Sequence, residues 1–218
     1  VTRIGSQAFD GCRELTSVTL PDSVTTIEED TFRECEKLTN ITIPNSVTAI
    51  KEGAFYQCRS LTSITIPESV TSIEDYVFSG CSSLTDITIP DGVTSIGDQA
   101  FYYCQGLTSI EIPNSVTSIG EGAFYQCTRL TDITIPAGVT SIGDKAFSYC
   151  SSLTSVAMPD SVTSIGDDVF EYCSRNLTIT GYESTDGTED GERYSEDDFV
   201  DENAYREYSD FGDTSGLK

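Results

Sequence analysis

The stretch from Leu61 to Ser83 reads LTSITIPESVTSIEDYVFSGCSS, and this 23-residue pattern recurs along most of the chain. Each copy carries a cysteine near its end, with a phenylalanine three residues before it. The eight cysteines follow one another at intervals of 23 residues: Cys12, Cys35, Cys58, Cys81, Cys104, Cys127, Cys150 and Cys173. A period held this strictly predicts a solenoid, in which every repeat forms one coil that stacks on its neighbours.

The order of residues within one repeat predicts how each coil is built. Leu61, Ile64 and Ile66 have the L-x-x-L-x-L spacing of a leucine-rich repeat, with alternate side chains pointing inward from a strand. Pro67 ends that strand because it has no N–H to donate. Further apolar residues return the chain to the core, and an acidic residue before an Ala-Phe-like segment predicts an N-capped helical turn. We therefore expect a leucine-rich repeat solenoid, mainly β, with stacked parallel strands and short helical or 3-10 turns on the convex side.

These repeats resemble the BspA-like leucine-rich repeat family, which is known from bacterial and protist cell-surface proteins. The resemblance covers residues 1–182, about eight coils of which the N-terminal one is incomplete. Leu177 falls 24 residues after Leu153, one more than the period, and Asn176–Tyr182 is similar to the segment that often closes such arrays. The resemblance implies adhesion or partner binding through the array rather than catalysis, and it transfers no functional residue.

Charge narrows the choice of partners. The chain has 12 Lys and Arg against 36 Asp and Glu, a formal charge of -24. Such a surface repels phosphates and anionic lipids, so we expect no nucleic acid partner. No apolar run approaches the ~20 residues that cross a bilayer, and no signal peptide is evident, so membrane insertion is not expected. The chain opens in mid-repeat without Met, which indicates a processed product or a piece of a longer protein.

The cysteines suggest a disulfide framework, a metal site or buried free thiols. Equivalent residues of neighbouring coils lie about 4.8 Å apart and point the same way, which does not suit a disulfide. A zinc site needs four converging ligands, and the chain has no paired C-x-x-C and no His. We therefore predict eight shielded, reduced thiols and no cofactor. Without His or a nucleophile motif, we also predict that the protein is not an enzyme.

One repeat position is acidic in seven successive copies. The structural interpretation is a row of helix caps, which would offset the repulsion between neighbours. The functional alternative is a calcium-binding edge, although a calcium site needs six or more converging oxygens. The column consists of Glu29, Glu52, Asp75, Asp98, Glu121, Asp144 and Asp167.

Two outward columns of the strands are the first candidate for a binding surface, because open sheets of solenoids commonly bind partners. One column includes Asn40, Asp86 and Asp132, and the other includes Thr88 and Glu111. The three carboxylates fall in consecutive repeats and predict a cluster that attracts a basic protein; a glycan is the alternative ligand. Asn40 also begins an N-x-T sequon, where a glycan would block this face. Threonine is also simply a good strand former, which is the structural alternative.

Tyrosines collect on the opposite side, just after the phenylalanine column. The candidates for partner contact there are Tyr102, Tyr103 and Tyr125, because tyrosine is frequent at interfaces. The alternative is that each ring covers the seam between two coils. The wider set comprises Tyr56, Tyr102, Tyr103, Tyr125, Tyr149 and Tyr172.

Residues 183–218 form an acidic tail without repeats, which we predict to be mostly disordered or to dock a partner. Residues 201–211 could form an amphipathic helix that covers the last coil or binds another protein. The run from Asp186 to Asp197 partly matches a calcium loop.

Two functions of different classes follow. The first is a protein-binding or adhesion module, secreted or on a cell surface, that binds through the strands. The second is a scaffold subunit of an intracellular or organellar assembly, docked through its tyrosines, coil ends and tail.

Overall fold

The computed structural model describes residues 3–181, and these residues form a parallel β-solenoid. We number the complete repeats 1 to 7, from residues 15–37 to residues 153–175, so that repeat 4 is 84–106 and repeat 5 is 107–129. The predictions for the acidic tail, for the helix over 201–211 and for the calcium loop from Asp186 to Asp197 lie outside the described residues.

All complete repeats except repeat 5 contribute a first strand near their start, and these strands form the surface that we call the strand face. The pairing is parallel with a 23-residue offset, as in Ser17↔Asn40 and Ser63↔Asp86. Leucine-rich repeat spacing therefore predicted both the strands and their register. The first strands are β1 Ser17–Thr19, β3 Asn40–Thr42, β5 Ser63–Thr65, β6 Asp86–Thr88, β9 Asp132–Thr134, β11 Ser155–Ala157 and β13 Thr178–Thr180.

A second, two-residue strand follows the proline turn in most repeats. Four of these strands form one continuous sheet in the order β12-β10-β8-β7, which the Ile73↔Ile96 bridge extends by one repeat. The second strands are β2 Thr26–Ile27, β4 Ala49–Ile50, β7 Ser95–Ile96, β8 Ser118–Ile119, β10 Ser141–Ile142 and β12 Ser164–Ile165.

The core follows the period of two that strands impose. In β5 the outward Ser63 and Thr65 are exposed while Ile64 between them is buried, and the next inward residue, Ile66, is buried as well. The same inward positions are filled by Leu, Ile, Val or Met in the other repeats, so one continuous apolar core runs along the stack. Stacking is what buries it, since a single coil has no second face to cover its apolar side chains.

The third side of each coil, which we call the turn side, differs from the prediction. Among residues 3–181 the structure has no helix; the segment from the acidic column to the cysteine is a series of hydrogen-bonded turns. In repeat 4, the N–H groups of Gln99, Phe101 and Tyr103 donate to carbonyls of the next repeat, each at 2.8 Å. The alternate N–H groups donate back within the coil, as Tyr102 does to Gln99. A helix would need every N–H within the coil, so bonding between coils excludes it.

Left-handed residues produce this alternation. Two positions per coil have positive φ, four residues apart, such as Gln99 at 52° and Tyr103 at 58°. The second position is Gly11 in the first coil and Gly80 in repeat 3, where the conformation is unstrained, but it is tyrosine in repeats 4, 6 and 7. Bulky residues there carry a strain of roughly 1–2 kcal/mol each.

Phenylalanine rings form the spine of the turn side. All seven from Phe32 to Phe170 are buried, and neighbouring rings stack with centroids 5.2 to 5.7 Å apart. Phe9 begins the stack, has one ring neighbour and is only partly buried. The stack is unbroken from the first described coil to the last complete repeat.

The cysteines are free thiols, as predicted, with one correction. Seven are buried, but Cys12 is exposed, so the prediction that all eight are shielded is wrong for the first coil. The buried thiols donate to a carbonyl of the preceding coil, as Cys104 Sγ does to Phe78 O at 3.2 Å. Burial raises the pKa of the Cys127 thiol to about 12.

The last coil shows how the array closes. The sequence places Leu177 one position late, yet β13 pairs with β11 at the regular offset, Ser155↔Thr178. The irregularity is therefore absorbed before the strand, where Leu177 is only partly buried.

No helix within residues 3–181 is long and apolar enough to cross a membrane.

Candidate functional site

The candidate residues of the strand face are exposed, as the alternation requires. Asn40, Asp86 and Asp132 occupy one outward column of the first strands, and Thr88 lies in the other. Glu111 is exposed too, but segment 109–111 is not a strand. The strand face thus consists of three short sheets, β1-β3, β5-β6 and β9-β11-β13, and segment 109–111 lies between the last two.

A cleft of about 310 Å³ opens at this interruption, between the first strand of repeat 4 and segment 109–111 of repeat 5. Its polar lining includes Asp86, Thr88 and Glu111, three of the residues singled out from the sequence. Ile89, Ile110 and Pro113 add apolar surface. We call this the strand-face cleft. Asp132, the third carboxylate of the predicted cluster, does not line it, and Asn40 lies two repeats away.

Asp91 lines the strand-face cleft as well, and sequence reasoning missed it. It is the residue after the strand-ending proline, a turn position that the two outward columns do not include. The available signal was charge: the equivalent residue is acidic in some repeats and Asn or Ala in others, including Asn45 and Ala137. With Asp91, the cleft has three carboxylates and no basic side chain among its lining residues.

Missing bonds between repeats 4 and 5 explain why the cleft exists. At five other junctions of the described chain, a threonine donates its N–H and its hydroxyl to the threonine one repeat earlier, as Thr131 does to Thr108 at 3.2 and 3.3 Å. Within the described chain, Thr108 makes neither bond to Thr85. Its N–H, and the strand groups beside it, are left to water or to a ligand.

Gly106 marks the same junction. A Cβ there would lie 2.8 Å from Leu84 O and 2.9 Å from Ser82 O, closer than side-chain-bearing residues approach. The other repeats carry Lys, Ser or Arg at this position. Glycine therefore allows the chain to lie against these two carbonyls as it enters repeat 5, and the segment that follows does not join the ladder.

The acidic column has a structural role that differs from the predicted one. Asp75 Oδ1 accepts the Asp98 N–H at 2.8 Å, and Asp98 Oδ1 accepts the Glu121 N–H at 2.8 Å. Asp144 does the same for Asp167 at 2.9 Å. These carboxylates cap the next coil rather than a helix of their own. Among residues 3–181, no group of three or more acidic or cysteine side chains is placed to hold a metal ion.

Close packing of like charges affects Glu52 within this column. Desolvation raises the pKa of its carboxyl, and the charges of Glu29, Asp75, Asp30 and Glu74 raise it further. Since ionised Glu52 is disfavoured in the fold, its charge opposes stability at neutral pH. Desolvation and the charges of nearby acidic residues likewise raise the pKa of Tyr76, which directly follows Asp75.

The predicted tyrosines do come together on the turn side. Tyr102 and Tyr125 stack with centroids 4.9 Å apart, and Tyr103 lies 4.6 Å from Tyr102 and 6.2 Å from Tyr125. Tyr149 continues the row at 5.2 Å and Tyr172 at 4.5 Å. We call these five residues the Tyr ladder. All five are half-buried, so they cover seams between coils and also present surface.

Comparison with known proteins agrees with this geometry. The family described as BspA type leucine rich repeat region, in six copies, matches residues 2–105 and 48–177. No curated protein matches the sequence at a significant level.

Solved structures share the architecture. A leucine rich cell surface protein from Faecalibacterium prausnitzii is 38% identical over 84% of this chain and 59% of its own length, with a TM-score of 0.61. The T. pallidum leucine rich repeat protein is 33% identical over 76% of this chain and 69% of its own, with a TM-score of 0.60. A leucine-rich repeat protein from Eubacterium ventriosum is 27% identical over 81% and 46%, with a TM-score of 0.62. The chain thus spans only part of these relatives.

Proposed function

Because the chain belongs to the BspA-type leucine-rich repeat family, we propose that it is a non-enzymatic module that binds a protein partner through its strand face. Repeats of this family are generally non-enzymatic, and the F. prausnitzii relative is described as a cell surface protein. Adhesion at a cell surface is the role that we infer for the whole protein.

The observation that carries the proposal is the strand-face cleft. Elsewhere on that face the outward residues are mostly small and hydroxylated. The cleft instead combines three carboxylates with apolar surface and with backbone that is not paired to a neighbouring strand. Such a combination provides both charge and area to a ligand. The partner that fits is a protein segment with a basic side chain flanked by apolar ones, steered by Asp86, Asp91 and Glu111, with Asp132 contributing from the next repeat.

A selection experiment tests the site even while the natural partner is unidentified. Peptides displayed on phage are selected on the immobilised full-length protein, and the binding rates of the best peptides are then measured on variants. Asp86→Asn, Glu111→Gln and Asp132→Asn together should slow association several-fold and flatten its dependence on salt, because steering acts over the ~10 Å screening length. Thermal unfolding of this variant should be unchanged, since exposed carboxylates contribute little to folding.

A matched control removes the same number of charges elsewhere. Asp10→Asn, Asp22→Asn and Asp160→Asn change three exposed carboxylates that lie outside the strand-face cleft. Peptide binding should survive this change. If the two triple variants weaken binding equally, the peptides respond to overall charge and the strand face is not the site.

A further inference from the structure

The Tyr ladder is a second surface, on the opposite side of the coil from the strand-face cleft. Tyr103, Tyr149 and Tyr172 hold left-handed backbone, with φ of 58°, 60° and 53°. Glycine takes that position in two other coils without strain. The ring contacts of 4.5 to 6.2 Å are what these tyrosines add, and they turn separate side chains into one aromatic strip along repeats 4 to 7.

The chain itself shows what kind of group this column accepts. The guanidinium carbon of Arg33 lies 5.3 Å from the centroid of the Tyr56 ring, one repeat further on. Arg33, Tyr56, Tyr102 and Tyr125 all occupy the same position of the 23-residue repeat. Ser79 stands between Tyr56 and Tyr102 and brings no ring, so the aromatic strip begins at Tyr102. In the first repeats, a guanidinium therefore already stacks along the column that tyrosines fill later.

Charge favours the same group. The acidic column runs four residues before these tyrosines, and Asp98, Glu121 and Asp144 are exposed beside the strip. A cation that stacks on aromatic rings would interact favourably with both the tyrosines and the acidic column. Arginine stacks on aromatic rings better than lysine because its guanidinium is planar and weakly hydrated.

We propose that the Tyr ladder binds an arginine-bearing segment of a protein partner, whose guanidinium stacks at Tyr102 and Tyr125 beside the acidic column. This surface is separate from the strand-face cleft and does not depend on the function proposed for it. It would let the array engage one partner through its strands and a second through its turns.

Two peptides of equal charge provide the test: acetyl-(Gly-Arg)4-amide and acetyl-(Gly-Lys)4-amide, titrated into the full-length protein. The arginine peptide should bind about two- to fivefold more tightly, the range that cation–π contacts give at exposed sites. In the Tyr102→Ser, Tyr125→Ser variant the arginine peptide should lose most of this advantage, because its affinity should fall more than that of the lysine peptide. The triple strand-face variant should keep the preference of the unaltered protein.

Three outcomes decide the matter. Tyr102→Phe with Tyr125→Phe keeps the rings, so the arginine preference must persist there, which separates stacking from a folding defect in the serine variant. Equal affinity of the unaltered protein for both peptides would overturn the proposal. So would a gain in arginine-peptide affinity on Arg206→Lys, because the occupant would then be the chain's own tail.

Discussion

The turn side and the strand face of the same coils are held together to different degrees. On the turn side, every repeat is linked to the next by backbone hydrogen bonds at two-residue intervals and by an unbroken stack of phenylalanine rings. On the strand face, the ladder is interrupted between β3 and β5 and again at segment 109–111, where a cleft opens. Neighbouring repeats are therefore held together mainly by the turn side and the core. The strand face can deviate from the regular repeat at one junction and form a site there.

The largest expected difference within the molecule concerns thiol labelling. Cys12 is exposed, while the other seven cysteines lie under the turn side. Reagent can reach them only through opening of the array, so their labelling should be slower than that of Cys12 by more than about a thousandfold. Thiol counting without reductant should find one fast group in the native protein and eight in denaturant. A lower count in denaturant would show disulfides and contradict the structure.

Removing one ring from the phenylalanine stack should have the largest effect on stability. Phe101 stacks on two rings, at 5.5 and 5.2 Å, and is fully buried. Phe101→Ala should cost about 3–5 kcal/mol through the cavity it leaves. Phe9→Ala is the matched variant and should cost clearly less, since Phe9 has one ring neighbour and is partly exposed. Denaturant melts with equal losses would mean that the stack does not carry the cohesion.

The junction into repeat 5 can be altered by one side chain. Gly106→Ser introduces the residue that Ser60 and Ser83 provide elsewhere, but its Cβ would contact backbone oxygens at 2.8 and 2.9 Å. We expect a loss of roughly 1–3 kcal/mol. Gly92→Ser is the control, because a Cβ there meets Glu68 O at an ordinary 3.5 Å. Its hydroxyl is placed to donate to Val70 O, as Ser115 donates to Val93 O in the next repeat. That control should be neutral or slightly stabilising in the same melts.

A smaller effect is expected from the acidic column. The folded pKa of Glu52 is raised, so its protonated form is favoured in the fold and its ionised form opposes stability above that pKa. Glu52→Gln should therefore raise Tm slightly at pH 7. The advantage should shrink as pH falls through the folded pKa of Glu52, because the native carboxyl then becomes neutral as well. A stabilisation that persists at pH 3 would point to another cause.

Much of this architecture could be predicted because each repeat solves the same packing problem. The alternation around Ile64 and Ile66, the buried cysteines and the 23-residue register all follow from local periodicity. The helical turns were predicted wrongly, because an acidic residue before Ala-Phe suits a helix cap equally well. Backbone hydrogen bonds between neighbouring coils favour turns over a helix, and the sequence of a single repeat does not show those bonds.

The candidate site was predicted only in part, for a related reason. Asp86, Thr88 and Glu111 were identified as outward residues by period two, and the structure brings them to one cleft. The cleft itself depends on the bonds that Thr108 does not make and on the close approach at Gly106. Those are properties of two adjacent repeats together. Asp91 was missed because it lies in the turn after Pro90, and the period of two that assigns strand residues to a face does not extend into a turn.

Amide hydrogen exchange resolved by residue tests the contrast between the two sides most directly. Thr108 and Thr131 are equivalent residues, but only Thr131 donates its N–H to the preceding repeat. The N–H of Phe101 is bonded across the turn side of repeat 4, at 2.8 Å. We expect Phe101 and Thr131 to exchange slowly, with protection near that of global unfolding, and Thr108 to exchange at least about a hundredfold faster. Equal protection of Thr108 and Thr131 would show an intact strand ladder and contradict the account.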